Sequence, residues 1–527
     1  MTAVEKENTG LQLIDRNRKL TFSGALFSRL GLIVVFLLVQ MGLLAAAFIW
    51  FENFLPHFFG GTVIFTAIMV LVLINSSMNP SAKITWLILI MVLPVFGALL
   101  YWYTKSDAGH RALKNRYEKR MDASRTLLPQ NEDDIQSLRE TSPGAARLAE
   151  YLSHCGCHPV WCRTDVKYFP SGEEKFEALL QELEKAEKFI FLEYFIVEEG
   201  LMWGRILEIL ARKAKEGVDV RVMYDGTCEF SSLTHDYPKR LQKLGIQAKM
   251  FAPAMLFFST HYNYRDHRKI LVIDGKVAFT GGVNLADRYI NIGSPYGHWK
   301  DTAILLRGEA VRSFTLLFLQ MWNLGEKTAE YQPWISMPGA TVPRAPGYVI
   351  PFGDSPLDDN KVGQMVYMDI LNRAVKYVHI MTPYLVLDGE METALRFAAQ
   401  RGVDVKLILP GKADKLYAWA LAKTHYPALL RAGVKIYEYD PGFVHAKIFV
   451  SDDDTAVVGT INLDYRSLYH HFECAAWLYK TACIGAIEDD FQKTLSMCHA
   501  VTPETLKQEK WWLRLMGKLL KGIAPLL

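Results

Sequence analysis

The 527-residue sequence has no cysteine framework. Its seven cysteines, Cys155, Cys157, Cys162, Cys228, Cys474, Cys483 and Cys498, are odd in number and scattered. That excludes a disulfide-stapled secreted fold and points to a reducing compartment. The run His154-Cys155-Gly156-Cys157-His158, with Cys162 nearby, has zinc-like composition but neither paired spacings nor a distant second half-site. It reads as packing and turn residues, and neither a metal nor any other cofactor is expected. The chain also lacks a charge excess: a net charge of +3 is small for this length, so attraction to anionic lipid or nucleic acid has to come from local basic clusters. No glycine-rich phosphate loop follows a strand, which excludes nucleotide chemistry of the Rossmann or P-loop kind.

Charge is missing altogether from three apolar stretches, Gly31–Phe51, Phe58–Ile74 and Ile84–Thr104. A helix needs about 20 apolar residues to cross the hydrocarbon core, so these are expected to form a multi-pass membrane segment of two or three helices. A cleaved signal peptide does not fit, because more apolar runs follow the first. Lys6, Arg16, Arg18, Lys19 and Arg29 precede the first stretch, and Lys105, Arg111, Lys114, Arg116, Lys119, Arg120 and Arg125 follow the third. Both flanks therefore read as cytoplasmic, which three full crossings cannot satisfy. One stretch, the short second one with Gly60-Gly61 near its start, is expected to re-enter or lie in the interface.

Beyond residue 160 the pattern becomes mixed α/β, and it repeats. Gly217-Val218-Asp219-Val220-Arg221-Val222 matches Gly402-Val403-Asp404-Val405-Lys406-Leu407, Phe189–Phe195 matches Val378–Leu385, and Leu244-Gly245-Ile246 matches Ala432-Gly433-Val434, in the same order. The expected organisation is a cytoplasmic segment 1–30, a membrane segment 31–104, a basic linker 105–160, two duplicated α/β domains 161–335 and 336–505, and a tail 506–527.

Each half carries one copy of a chemical motif. In the first, His267 is followed by Lys269, Asp274 and Asn284; in the second, His445 is followed by Lys447, Asp452 and Asn462, with intervals of two, seven and seventeen residues in both. On an extended strand, residues i and i+2 face the same way, so His and Lys project together while Ile270, Val272, Ile448 and Val450 take the other face. The aspartate falls at the strand's end, before a turn in the first half, and the asparagine returns on the next strand. Two such halves bring together two imidazoles, two ammonium groups and two amides. That set suits phosphodiester chemistry without a metal: one imidazole attacks phosphorus, the other protonates the leaving oxygen, and lysines and asparagines bind the non-bridging oxygens.

With these motifs, and with Asn79–Trp86, Phe169-Pro170-Ser171-Gly172, His298-Trp299-Lys300-Asp301-Thr302, Thr382-Pro383-Tyr384 and Gly459–Ser467, nearly the whole chain resembles the phospholipase D superfamily and, within it, the bacterial cardiolipin synthases. The resemblance implies two α/β/α sandwich halves behind N-terminal transmembrane helices, in a bacterial cell membrane with the catalytic part cytoplasmic. It implies transfer of a phosphatidyl group between two phosphatidylglycerols, giving cardiolipin and glycerol through a phosphohistidine. It makes His267 the nucleophile and His445 the acid/base partner, an order the residues themselves leave open. Lys269, Lys447, Asn284 and Asn462 are implied phosphate ligands, Asp274 and Asp452 supports, and Glu473 a further site residue. Where the family often has Asn before Phe-Glu, this chain has His471 before Phe472-Glu473.

The motif alone does not separate transfer from hydrolysis or from use of another alcohol. The apolar N-terminal segment argues against a nuclease, so no nucleic-acid partner is expected; oligomeric state is left open. Lys507–Lys521 mixes Trp511, Trp512, Leu513, Leu515, Met516, Leu519 and Leu520 with basic residues, as an interfacial helix or one packed on the protein would.

Overall fold

The computed structural model describes residues 10–14, a few positions between 38 and 46, and 61–526 apart from 77, 94–96, 99, 103, 105–107, 254–263, 343 and 344. Most of the first apolar stretch therefore lies outside the described residues. Among the described residues the other two do not form single long helices. Helix α1 (Gly61–Ile74) has 14 residues and α2 (Pro80–Val92) has 13. Among the described residues no helix is long and apolar enough to cross a membrane.

The third stretch, expected to be one helix, reverses after Leu93. Trp86 meets Tyr101 edge-on at 5.4 Å, and a Cβ on Gly97 would lie 2.9 Å from the Ile90 backbone. In a continuous helix residues 86 and 101 would stand about 22 Å apart. The helix ends at Leu93, whose backbone is no longer helical at φ −133° and ψ 76° while its N–H still donates to the Leu89 carbonyl at 2.9 Å. Helix α3 (Ala108–Ser124) then carries the basic stretch onto the α/β body, where Arg120 donates to the carbonyl of Asn323 at 3.0 Å.

That body contains the repeat. The first half holds β1 (Thr164–Phe169), β2 (Phe189–Tyr194), β3 (Asp219–Asp225), β4 (Gln247–Phe251), β5 (Arg265–Asp266), β6 (Lys269–Ile273), β7 (Val277–Gly281), β8 (His298–Lys300) and β9 (Ala303–Gly308). The second holds β10 (Tyr348–Asp354), β11 (Tyr377–Met381), β12 (Asp404–Pro410), β13 (Lys435–Tyr439), β14 (Gly442–Val444), β15 (Ile448–Ser451), β16 (Thr455–Gly459), β17 (His471–Tyr479) and β18 (Cys498–Ala500). The first sheet runs β1-β9-β7-β6-β2-β3-β4 and the second β10-β17-β16-β15-β11-β12-β13-β18, the same order with one strand added.

The central strands are parallel within β2-β3-β4 and β11-β12-β13. Helices cover such strands on both faces, which is why FIFLEY of β2 is buried at all six positions. Each fully buried large apolar side chain contributes roughly 1.5–3 kcal/mol. The matched Gly-Val-Asp-Val segments occupy one structural place: Gly217 and Gly402 end a helix at φ +92° and +95°, a left-handed conformation that excludes most side chains.

Two short exchanges tie the halves together. β5 of the first half pairs in parallel with β17 of the second, and β14 of the second pairs with β8 of the first. Helix α4 (Val311–Trp322), buried along nearly all its length, packs across β6 and against β10. Lys300 reaches across to Asp490 at 2.7 Å, a buried ion pair between the halves. Helices α5 (Leu416–Arg431), α6 (Tyr465–Tyr469) and α7 (Trp511–Lys521) lie at the second half's outer side, with α7 packed along α5.

Candidate active site

The strand exchanges place each histidine against the other half's carboxylate. His267 enters β6 directly after β5, so its ring stands beside β17, and its Nδ1 lies 2.9 Å from both carboxylate oxygens of Glu473. His445 follows β14, beside β8, and its Nδ1 lies 2.7 Å from Asp301 Oδ2. Occupied Nδ1 positions leave the Nε2 atoms as the free edges of both rings. Both histidines line one cavity of about 470 Å³, together with Asn284, Asn462, Arg265, Arg466, Lys415, His471, Tyr289, Trp299 and Tyr384.

An aromatic ring backs each imidazole at the same distance: His471 lies 5.2 Å from His267, and Trp299 lies 5.2 Å from His445. Arg466 donates from Nε to His471 Nε2 at 3.3 Å. Lys269 donates to the His267 carbonyl at 2.7 Å and Lys447 to that of His445, so both ammonium groups sit behind the histidines. The two asparagines differ. Asn284 is engaged, accepting from Ile196 N at 3.0 Å and donating to Tyr289 Oη at 2.9 Å. Among the described residues Asn462 Oδ1 is buried with no hydrogen-bond partner, although its side chain lines the cavity.

Electrostatics follow from burial. Burial, and then the Lys269 ammonium, pushes His267 well below the usual imidazole range. Burial and Lys447 push His445 down to about 3 against the pull of Asp301. Glu473 is raised by burial, opposed by Lys269. Burial also acts to raise Asp301, but His445 and Lys447 outweigh it and hold the carboxyl below its usual range. The lysines are lowered by burial to about 8 for Lys269 and about 7 for Lys447. The site thus has neutral imidazoles, hydrogen-bonded at Nδ1 and carrying lone pairs at Nε2.

Asp274 and Asp452 do not join this cluster. Each sits at the far end of its strand, about 23 Å of extended chain from its histidine. Asp274 accepts from the backbone of Glu187, Lys188 and Phe189 at 2.9, 2.8 and 2.8 Å, and Asp452 from Val375, Lys376 and Tyr377 at 2.7, 2.8 and 2.9 Å. Both have φ of +54° in the turn to the next strand.

Asp301 was not singled out by spacing, since nothing local distinguishes it in His298–Thr302; only the fold carries it to the other half's histidine. Gly282 and Thr460 stand at the same place, two residues before each motif asparagine, and differ for a physical reason. A Cβ at Gly282 would lie 2.0 Å from Asp301 Oδ1, whereas the Thr460 hydroxyl donates to the longer Glu473. Among the described residues one group has metal-ligand geometry: His267, His471 and Glu473, with ligand atoms within 4.8 Å of one another. Lys269 and Arg466 beside it oppose a bound cation.

The family model described as the cardiolipin synthase, phospholipase D-like domain matches residues 179–322 and 367–495, one segment in each half and both holding a histidine motif. The chain belongs to the cardiolipin synthase family. A phospholipase D-nuclease N-terminal model matches residues 64–104, covering most of α1, all of α2 and the reversal. The chain is 32% identical over 511 residues to a cardiolipin synthase of Halalkalibacterium halodurans, covering 95% of this chain and all of that one. It is 33% identical over 504 residues to that of Alkalihalophilus pseudofirmus, covering 93% and 99%. Among solved structures, phosphatidylserine synthase of Haemophilus influenzae superposes with a TM-score of 0.55 at 15% identity, covering 72% of this chain and 99% of that one. The two-half phospholipase D fold expected of the family is thus present.

Proposed function

We propose that this cardiolipin synthase family member transfers a phosphatidyl group from one phosphatidylglycerol to another, releasing glycerol. One observation carries the reading: two neutral imidazoles, each fixed at Nδ1 by the opposite half's carboxylate, open their Nε2 edges into a single cavity. His267 Nε2 attacks phosphorus, and the bond from phosphorus to the headgroup glycerol oxygen breaks. His445, as imidazolium, gives that oxygen its proton. The substrate's phosphate supplies the negative charge that makes His445 basic enough to have been protonated. In the second half-reaction neutral His445 takes the proton of the incoming hydroxyl, whose oxygen displaces His267 from phosphorus. Lys269, Lys447 and the Asn462 amide balance charge on the phosphate, and Asp274 and Asp452 support the strands from behind.

The reading places the enzyme at a bacterial membrane with its catalytic part cytoplasmic. Leu13 N and Ile14 N donate to Glu199 at 2.6 and 3.0 Å, which supports an N-terminal segment on the same side as the catalytic halves. Asn79, at the start of α2, donates to Tyr469 at 2.9 Å, and the chain returns from the Leu93 reversal into basic α3. With both flanks on one side, the reversal after Leu93 makes the third stretch the re-entrant one, in place of the second stretch expected from the sequence.

The test is to supply purified enzyme in detergent with labelled phosphatidylglycerol alone and resolve the products. Cardiolipin with equimolar glycerol, absent from His267→Ala and His445→Ala, is the expected result. Phosphatidic acid as the main product would make the enzyme a hydrolase.

A further inference from the structure

The repeat runs further than its asparagines. Four residues after Asn284 and after Asn462 stands an arginine, Arg288 and Arg466, each twenty-one residues beyond the histidine of its own half. The fold gives both the same place. Leu285 and Leu463, just after the asparagines, bridge in parallel to Val197 and Leu385, and a short helical turn follows, Asp287–Ile290 in the first half and α6 in the second. Both arginines line the catalytic cavity.

Each arginine stands one ring away from an imidazole, but not from the same one. Arg466 donates to His471, whose ring lies 5.2 Å from His267. The Arg288 guanidinium lies 5.5 Å from the Tyr289 ring, which meets His445 edge-on at 5.4 Å. Glu198 pairs with Arg288 at 3.3 Å, both side chains partly exposed, so water screens the pair and a phosphate can take its place. The two other cations of the cavity wall are placed differently. Arg265, two residues before His267, is turned to Asp225 at 3.6 Å and to the Ala252 carbonyl at 3.2 Å. Lys415 lies over Tyr384 at 5.1 Å, two rings from His445 by way of Phe443.

We infer that Arg288 binds the phosphate of the acceptor lipid, and so selects an anionic acceptor over a neutral alcohol; this rests on the reading above that one phosphatidylglycerol is transferred to another. With His267 attacking in line, the leaving oxygen and the incoming hydroxyl both lie on the His445 side of phosphorus. The glycerol that leaves is neutral. The lipid that replaces it carries its own phosphate at the other end of the reacting glycerol, so a second phosphodiester has to be held beyond His445. Arg288 stands on that side, and a guanidinium can hold a phosphate by two parallel hydrogen bonds. Arg466, at the matching place, is engaged with His471 on the nucleophile's side, so the two equivalent arginines have separate tasks.

Full-length enzyme in mixed micelles separates the two steps. Cardiolipin formation needs the lipid acceptor, whereas exchange of radiolabelled glycerol into phosphatidylglycerol runs the first half-reaction back and forth with a neutral hydroxyl. In Arg288→Gln the ratio of cardiolipin formation to glycerol exchange is expected to fall about tenfold or more, and to fall less in Arg288→Lys, which keeps the charge. In Arg466→Gln, beside the histidine that serves both steps, the ratio is expected to stay within about twofold of wild type. An unchanged ratio in Arg288→Gln, loss of both reactions alike included, or an equal fall in Arg466→Gln, would overturn the inference. A second measurement needs no variant: wild-type enzyme offered monooleoylglycerol, a neutral lipid with the same terminal diol, is expected to use it with a kcat/KM about tenfold or more below that for phosphatidylglycerol as acceptor. Equal use of the two acceptors would overturn the inference as well. Failure of the functional reading looks different, since wild-type enzyme would then form no cardiolipin from phosphatidylglycerol alone.

Discussion

Asp301 of the first half holds His445 of the second at 2.7 Å, and Glu473 of the second half holds His267 of the first at 2.9 Å. Neither half contains both a histidine and the carboxylate that orients it. The exchange explains why the halves form one site and why His267 and His445 are presented as the same tautomer. Asp301→Asn offers the ring an amide in place of a carboxylate, and kcat is expected to fall by about 10³- to 10⁴-fold with KM little changed. Steady-state kinetics at a fixed lipid surface concentration check this, and a change mainly in KM would contradict it.

The alkaline side of the pH profile belongs to the lysines. In the proposed mechanism the ammonium is the form that balances the phosphate, and burial lowers Lys447 to about 7 and Lys269 to about 8. As pH rises through that window the free enzyme loses the charged form, so kcat/KM is expected to decline above pH about 7. Lys447→Arg keeps its charge at all working pH values, and the limb is expected to move up towards about 8, where Lys269 titrates. A profile that keeps its limb in the variant would remove Lys447 from this role.

Asp274 and Asp452 are expected to matter for stability more than for chemistry. Each carboxylate satisfies three backbone N–H groups at the start of a central strand. Asp274→Ala strands those donors at a cost of about 2–3 kcal/mol, seen as a lowered melting temperature. Asp274→Asn, which keeps one acceptor oxygen and tolerates positive φ, is expected to lose less. Near-normal kcat in the folded fraction checks the assignment, whereas a large kcat loss without a melting shift contradicts it.

Much of this was legible in the sequence. The duplicated intervals from His267 to Asn284 and from His445 to Asn462 are set by strand-turn-strand geometry, which is local, and the Gly217 and Gly402 helix ends are local too. What could not be read is what crosses between halves. Asp301 and His471 reach their histidines only through the β8–β14 and β5–β17 pairings, and strand pairing between distant segments leaves no periodic trace. The Asp274 and Asp452 intervals are as regular as the others, yet they record a turn that anchors the neighbouring strand. In the third apolar stretch, hydropathy is blind to direction: the reversal depends on Gly97 allowing contact with Ile90.

The asparagines are expected to be unequal. Asn462 has an unpartnered Oδ1 in the cavity wall, while Asn284 is bound to Ile196 and Tyr289. Asn462→Ala is expected to lower kcat by about 10- to 100-fold with melting temperature preserved, through loss of a group that meets the reacting phosphate. Asn284→Ala is expected to lower the melting temperature as well. Thermal melts and kinetics on the same preparations separate the two, and identical behaviour would contradict the distinction.

The central claim is a covalent phosphatidyl group carried on His267 while His445 moves the proton. It is tested by mixing enzyme with phosphatidylglycerol radiolabelled in its phosphate, quenching in base within the first turnovers, and mapping the labelled peptide. The account expects acid-labile, base-stable label on the peptide containing His267 and none in His267→Ala. Label on the His445 peptide would exchange the two roles, and product formed with no labelled protein at any time would contradict the covalent mechanism.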